Sequence, residues 1–443
     1  MLDFSCEQLG KKYRNILELR KKFGDAYSES RTDRTKARSA VAAQKELERV
    51  FAELRYLKNY RFFRKFNPDW PRHADLASAE KIELDYKLKL MAETENFHVC
   101  DDFVICEHVF KNRTGQTKKQ LMAYGTPDSS SSAAFIVLTE YNAYVSWGGE
   151  KTVAAVRCKD ETVTFVLRTA DGRWVNANAP GKGNHVEQPI LFFSESKAVG
   201  ANDDFDLVVW EITADNKAIV TQKIRATAGL ILLYEITPDE TIAAYVEGEA
   251  GASMVFFKPD AQGKFVEQKN IVKLENDIDD FKILPSGEIY FISKSKNSVS
   301  VNNLENLISG KEQMNAPISV APGLAEKVLP SGRIVGWEKD KDLVSGRDFL
   351  VICRLQEQFV AERRIMINPD EKFTAAETDG GFVLMHIGEK LIFLDIMEEF
   401  PKKKKLDRAV LPCLSGEHAC QIGGDSRIYC ADTNRTISVY SPK

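Results

Sequence analysis

Ile283-Leu284-Pro285-Ser286-Gly287-Glu288-Ile289 and Val328-Leu329-Pro330-Ser331-Gly332-Arg333-Ile334 are nearly one heptapeptide written twice, 45 residues apart. In each, Pro, Ser and Gly stand between two short apolar runs, the composition of a tight turn joining neighbouring strands. Weaker copies of this turn fall at Asp101-Asp102, Gly148-Gly149, Glu195-Ser196, Pro238-Asp239, Asp379-Gly380 and Gly424-Asp425. Counted at positions 101, 149, 196, 239, 286, 331, 379 and 425, the intervals stay between 43 and 48 residues. A turn recurring at this period marks a repeat architecture.

The residues between the turns say which repeat. Phe281–Leu284, Glu288–Ser293 and Ser298–Leu304 are short apolar runs separated by polar turns. The preceding unit offers Leu230–Ile236, Thr241–Val246, Met254–Phe257 and Lys264–Ile271, with no helical pattern between them. Four short strands in about 46 residues fit a propeller blade. An immunoglobulin-like sandwich needs about 100 residues per unit, and a parallel β-helix only about 20–30. The expectation is a mainly β fold over residues 80–443, a β-propeller of about eight four-stranded blades, with seven as the alternative.

The two ends of that body complement each other. Ile82, Leu84, Tyr86, Leu88 and Leu90 alternate with Glu83, Asp85, Lys87 and Lys89, the period of a strand with one wet face. The last unit supplies Ala419–Ile422, Arg427–Ala431 and Thr436–Ser441, one strand short of four. The 82–90 strand is therefore expected to complete it as an outer edge, removing an open edge that would invite aggregation.

Asp206-Leu207-Val208-Val209-Trp210-Glu211-Ile212 resembles the third strand of a WD repeat, and Lys390–Ile396 and Thr436–Tyr440 are similar. The resemblance covers the layout of about 82–443 and, in detail, these strands only. The Gly-His pair and the His–Ser–Trp–Asp network of that family are missing, and the chain has just six histidines. A divergent propeller is implied, with no activity to carry over, since a fold does not settle a function.

Residues 1–73 follow a different period. Ser5-Cys6-Glu7-Gln8 fits a capping box, Leu9, Tyr13, Ile16, Leu17 and Phe23 recur at helical spacing, and Gly24 is a stop. A second helix is expected from Asp33 to the Asn67-Pro68 break, with Leu47, Val50, Phe51, Leu54, Leu57 and Tyr60 as its stripe. The pair reads as a coiled-coil-like α-helical hairpin whose apolar faces need a cover. Residues 1–73 hold 18 Lys/Arg against 10 Asp/Glu, whereas the remainder holds 43 against 55. A basic head thus precedes an acidic body. Arg49, Arg55, Lys58, Arg61, Arg64 and Lys65, interleaved with Tyr56, Tyr60, Phe62, Phe63 and Phe66, form a candidate basic patch for nucleic acid or an anionic surface. The bland alternative is a solvated helix end.

The other candidates weigh little. His98, Cys100, Cys106 and His108 flank one turn but match no zinc spacing. Asp101/Asp102, Asp203/Asp204 and Asp279/Asp280 are turn formers, or else carboxylates ringing one mouth of a propeller channel. Lys402–Lys405 and Ser129–Ser132 suit solvated loops. Phosphate loop, Gly-x-Ser-x-Gly elbow and His-Glu-x-x-His motif are all missing. Eight scattered cysteines without a CxxC pair suit a reducing, cytoplasmic setting, and neither a secretory signal nor an apolar run of about 18 residues occurs.

The functional expectation is a non-enzymatic protein-interaction scaffold without metal or cofactor. The propeller is its docking platform, and the N-terminal helices serve partner binding or oligomerisation. Nucleic-acid or anionic-surface binding through the head, and an enzyme or cation site at the channel mouth, are the alternatives.

Overall fold

The computed structural model describes residues 82–442, except 93, 101–102, 112–114, 116, 127–135, 142–144, 148–151, 158–161, 170–171, 180–188, 238, 275–277, 285–286, 294–295, 321–323, 330–331, 340–347, 356–358, 368–372, 378–381, 388–389, 396–410, 413–419, 423–426 and 433–434. The expected helical hairpin of residues 1–73 and its basic patch, Arg49, Arg55, Lys58, Arg61, Arg64 and Lys65, lie outside the described residues.

The described chain is mainly β, a β-propeller of four-stranded blades. Strand β1 (Ile82–Lys89) precedes the first sheet, β2 (Thr94–Val99), β3 (Phe103–Lys111), β4 (Thr117–Gly125) and β5 (Ile136–Tyr141). The second sheet is β6 (Val145–Trp147), β7 (Thr152–Arg157), β8 (Val163–Arg168) and β9 (Trp174–Ala179). The third is β10 (Leu191–Ser194), β11 (Lys197–Ala201), β12 (Leu207–Ile212) and β13 (Ala218–Ile224). The fourth is β14 (Leu230–Ile236), β15 (Ile242–Gly248), β16 (Gly251–Pro259) and β17 (Phe265–Glu267), with β18 (Val272–Lys273) also paired to β16. The fifth is β19 (Asp280–Ile283), β20 (Glu288–Ser293), β21 (Ser298–Asn303) and β22 (Ile318–Ser319). The sixth is β23 (Leu324–Val328), β24 (Ile334–Lys339), β25 (Asp348–Leu355) and β26 (Phe359–Ile367). The seventh is β27 (Phe373–Glu377), β28 (Phe382–Ile387), β29 (Lys390–Asp395) and β30 (Leu411–Pro412). These seven sheets run in chain order. An eighth follows the order β1-β33-β32-β31, from β31 (Cys420–Ile422), β32 (Ile428–Asp432) and β33 (Thr436–Pro442). There the Leu90 N–H donates to the Arg435 carbonyl at 2.8 Å, and Ser441 Oγ to Asp85 at 2.9 Å.

Seven of the turn positions marked in the sequence fall between the first and second strands of a sheet, and 425 falls between β31 and β32 of the eighth. The three WD-like segments overlap β12, β29 and β33; β12 and β29 are third in chain order in their sheets, and β33 is third of the strands that the C-terminal residues give the last sheet. Two compact units divide the chain. One holds 86–275 and 429–439, with the first four sheets; the other holds 276–428 with short flanking pieces, including the fifth to seventh.

One hydrogen-bond pattern closes seven connections: Thr169–Arg173, Asn202–Asp206, Thr213–Lys217, Thr237–Thr241, Asp260–Lys264, Leu284–Glu288 and Leu329–Arg333. In each, the first N–H donates to the fifth carbonyl, and the fourth N–H donates back to the first carbonyl. The fourth residue is left-handed: Gly172, Phe205, Asn216, Glu240, Gly263, Gly287 or Gly332. This is a type I turn followed by a left-handed residue. Five of these turns begin with a side-chain oxygen, and Asn202 Oδ1 and Asp260 Oδ1 accept backbone N–H groups at 2.8–2.9 Å. The two that begin with Leu carry Pro next instead, which presets the first turn angle.

The units expected to lack helix contain one short departure. Helix α1 (Leu304–Ser309) follows β21, capped by Asn303, whose side chain accepts the Asn306 N–H, and closed by left-handed Gly310. Six residues are too few to leave a periodic signal; burial of Leu304 and Leu307 fixes the turn.

Packing joins neighbouring sheets. Phe165 and Ala177 of the second meet Trp210 of the third in one core cluster, and Val209 and Ile224 of the third meet Ile231 and Phe257 of the fourth in another. Leu284 and Tyr290 of the fifth meet Ile334 and Val351 of the sixth. A single four-stranded meander is too small to hide both of its faces, so adjacent sheets supply the missing cover.

Candidate interaction surface

The turn Asn202–Asp206 and the start of β14 form the most unusual described surface. Asn202 is buried, and its side chain fixes the turn by accepting the Asp206 N–H. That leaves Asp203 and Asp204 exposed and Phe205 half-buried, with φ 59. A bulky residue in the left-handed region is strained, and glycine takes that place in four of the seven turns. The Phe205 carbonyl accepts the Ile231 N–H at 3.3 Å, which draws β14 alongside. Its neighbour Leu230 is 52% exposed.

Leu230 pairs across the ladder with Glu247, which is exposed and accepts the Tyr245 hydroxyl at 2.8 Å. Glu249 follows in the next turn, also exposed. Behind Leu230 the backbone crossing is very close. A Cβ on Gly229 would lie 2.1 Å from the Glu247 carbonyl oxygen, and one on Gly248 would lie 2.0 Å from that of Ala228. Only glycine permits such an approach.

Charge around Leu230 is mainly negative. Arg225 grips Asp206 through Nε and Nη2, both at 2.9 Å, and this carboxylate holds the guanidinium above its ordinary pKa. Glu267 is occupied by the Thr227 N–H at 2.9 Å and hydroxyl at 2.6 Å. Among the described residues, Asp203, Asp204, Glu247 and Glu249 have no ion-pair partner. An exposed leucine beside a strained phenylalanine, rimmed by four carboxylates, is chemically suited to an apolar and cationic ligand.

Sequence reading marked Asp203/Asp204 as turn residues but missed Leu230. Its available signal was the unbroken Leu230-Ile231-Leu232-Leu233 run, too long for a strand with one wet face.

The other marked residues do not converge. His98 opposes Ile105, whereas Cys106 opposes Phe97, so alternation sends the two side chains to opposite faces of the first sheet. His98 stacks on Trp147 at 5.0 Å, and His108 Nε2 meets the Tyr124 hydroxyl at 2.7 Å. Burial pushes the Cys106 thiol far up, away from thiolate chemistry; Cys100 is half-buried. Among the described residues no three His, Cys, Asp or Glu side chains group to hold a metal ion.

Asp203/Asp204 sit between second and third strands, while Asp279/Asp280 open a first strand, where Asp280 Oδ1 accepts the Phe281 N–H at 2.8 Å. Asp280 thus bonds its own neighbouring backbone, as a turn carboxylate does. Asp101/Asp102, Ser129–Ser132 and Lys402–Lys405 lie outside the described residues. No helix among the described residues is long and apolar enough to cross a membrane.

No protein-family model matches the chain, and no curated protein sequence matches it either. Solved structures do. Sqt1 of Saccharomyces cerevisiae superposes with a TM-score of 0.53 at 10% identity, over 82% of this chain and 100% of its own. Sqt1 of Chaetomium thermophilum gives 0.50 at 10% identity, over 79% and 98%. The WD40 β-propeller domain of Doa1 gives 0.39 at 10% identity, over 82% and 97%. At this identity the likeness to Sqt1 is one of fold. The chain thus shares its fold with Sqt1. Trp210 of β12 is fully buried, and its indole N–H has no hydrogen-bond partner among the described residues.

Proposed function

We propose that this protein is a non-enzymatic interaction scaffold that docks other proteins through the Leu230 surface. The observation that carries the reading is the juxtaposition of Leu230, left exposed at the start of a strand, with a strained Phe205 and four carboxylates lacking ion partners. Strain and exposed apolar area both cost stability, and they persist where a surface has another use. In the same reading, residues 80–443 are a propeller domain whose last sheet takes β1 as its outer strand. Residues 1–73 are a separate basic arm that engages partners or copies of itself, and buried cysteines such as Cys353 and Cys430 suit a reducing intracellular compartment.

A photoreactive amino acid placed at Leu230 tests the docking site in cells of the native source. A discrete protein adduct at Leu230, absent with the probe at exposed Thr221 of β13 and lost in a Glu247→Lys, Glu249→Lys background, is the expected result. Adducts that are the same at both positions would remove the surface from consideration.

A further inference from the structure

We propose that the Leu230 surface receives an arginine side chain of a protein partner, its stem on Leu230 and its guanidinium on Glu247. Tyr245 sets the preference for arginine over lysine. The inference rests on the docking reading above and adds the residue type that is recognised. Leu230 and Glu247 stand directly opposite each other on the β14–β15 ladder, and both are exposed. Side chains opposed in this way share one face of the sheet, with Cβ atoms about 5 Å apart. An apolar spot and a carboxylate at that spacing match a side chain with a methylene stem and a cationic head. The spacing is also fixed. Gly229 and Gly248, the chain neighbours of Leu230 and Glu247, lie where two backbones cross so closely that a Cβ on either would fall within 2.1 Å of a carbonyl oxygen. The crossing holds the two positions together.

Orientation separates arginine from lysine. The Glu247 carboxylate accepts the Tyr245 hydroxyl at 2.8 Å, and the Tyr245 ring is buried, so the core beneath sets the plane of the carboxylate. Each carboxylate oxygen has two lone pairs, and both oxygens remain able to accept. A planar guanidinium meets a carboxylate held in this way with two parallel N–H bonds. An ammonium is a point charge and gains nothing from the plane. The same surface already holds one such pair. Arg225 meets Asp206 through Nε and Nη2, both at 2.9 Å, with its side chain 73% exposed, so the fork forms here even facing solvent. Asp203, Asp204 and Glu249, exposed around the spot, draw a cation in from solution. They steer, and Glu247 grips.

Leucine-methyl 13C NMR of the full chain reads the contact, with the Leu230 signals identified by their loss in Leu230→Ile protein. The probes are three capped glycine-serine peptides with arginine, lysine or citrulline at the centre, titrated at constant ionic strength. The expected result is that the arginine peptide shifts the Leu230 methyls and binds about fivefold more tightly than the lysine peptide. Citrulline, which keeps the shape of arginine and loses its charge, should bind more weakly than either. Glu247→Gln should abolish the advantage of arginine. Tyr245→Phe alters no charge; it should bring the ratio of arginine to lysine affinity towards one while leaving the lysine affinity unchanged. A single cooperative urea transition confirms that each variant is folded. If Tyr245→Phe weakens both peptides alike, Tyr245 supports the fold and does not set the preference, and that part of the proposal falls. Equal affinities for arginine and lysine in the unaltered protein overturn the whole, as does a Leu230 signal that stays still or moves no more than leucines across the chain. None of these outcomes touches the photo-adduct at Leu230, so the docking reading falls only on its own test.

Discussion

The first and third sheets have the same strand number and order, yet opposite chemistry fills them. In the first, buried Glu107 accepts the Tyr141 hydroxyl at 2.5 Å and the Asn96 amide at 3.2 Å, and buried His108 pairs with Tyr124. In the third, buried Trp210 presents an indole N–H with no hydrogen-bond partner among the described residues, packed edge-on against Phe165 at 6.0 Å. A blade face thus needs filling, and the fold accepts either an apolar plug or hydrogen-bonded polar pairs, Glu107–Tyr141 on one face of the first sheet and His108–Tyr124 on the other. The two differ in what a substitution leaves behind. Truncating the plug leaves a void, whereas truncating the lattice strands a buried carboxylate.

The void is the larger loss. Trp210→Ala should destabilise by about 4 kcal/mol in urea unfolding, as large aromatic truncations in cores do. Trp210→Phe should cost only about 1–2 kcal/mol, because the idle N–H takes no hydrogen bond with it and only area is lost. Equal losses for the two variants would mean that the indole has an acceptor, and the contrast between the sheets would vanish.

The lattice gives the smaller, more specific effect. Tyr141→Phe keeps the ring and removes one charge-assisted donor from Glu107, an expected loss of about 2 kcal/mol. Glu107→Gln alone should also destabilise. The double variant should cost less than the two added together, by about 1 kcal/mol, since the pair shares one interaction. Strict additivity would show that Tyr141 and Glu107 are not coupled.

The same contrast explains what could be seen beforehand. Apolar runs and Pro-Ser-Gly turns are local, so the strands around Leu284 and Leu329, and the eight turn positions, stand out in one dimension. The outer strand β1 was legible because an edge strand alternates. Left-handed Phe205 and Glu240 were not: nothing in Asp203-Asp204-Phe205 or Asp239-Glu240 announces a positive φ, which the surrounding turn imposes. The Glu107 lattice joins residues 11 and 34 positions apart, and the Gly229–Gly248 crossing joins two connections. Pairings of that kind exist only after the chain has folded. The Leu230 surface is built from three such connections, which is why its carboxylates looked like isolated turn formers.

Tyr124 offers the finest test, because its effect is silent at neutral pH. Burial raises its phenol to about 12, while its hydroxyl accepts the Met91 N–H at 3.1 Å and meets His108. The unfolded chain releases that proton near the ordinary value of about 10. Folding therefore favours the protonated phenol. Its contribution is complete below pH 10 and is lost as pH rises through about 12. In Tyr124→Phe protein the fall of stability over this window should be shallower, and the ultraviolet phenolate titration should lose one late component. Tyr290, also pushed up by burial, stays in both proteins and cancels in the difference. If the two titrations superpose, Tyr124 ionises like a surface phenol. The first sheet would then be wetter at His108 than its lattice requires, and its difference from the dry Trp210 plug would lie in hydration rather than in hydrogen bonding.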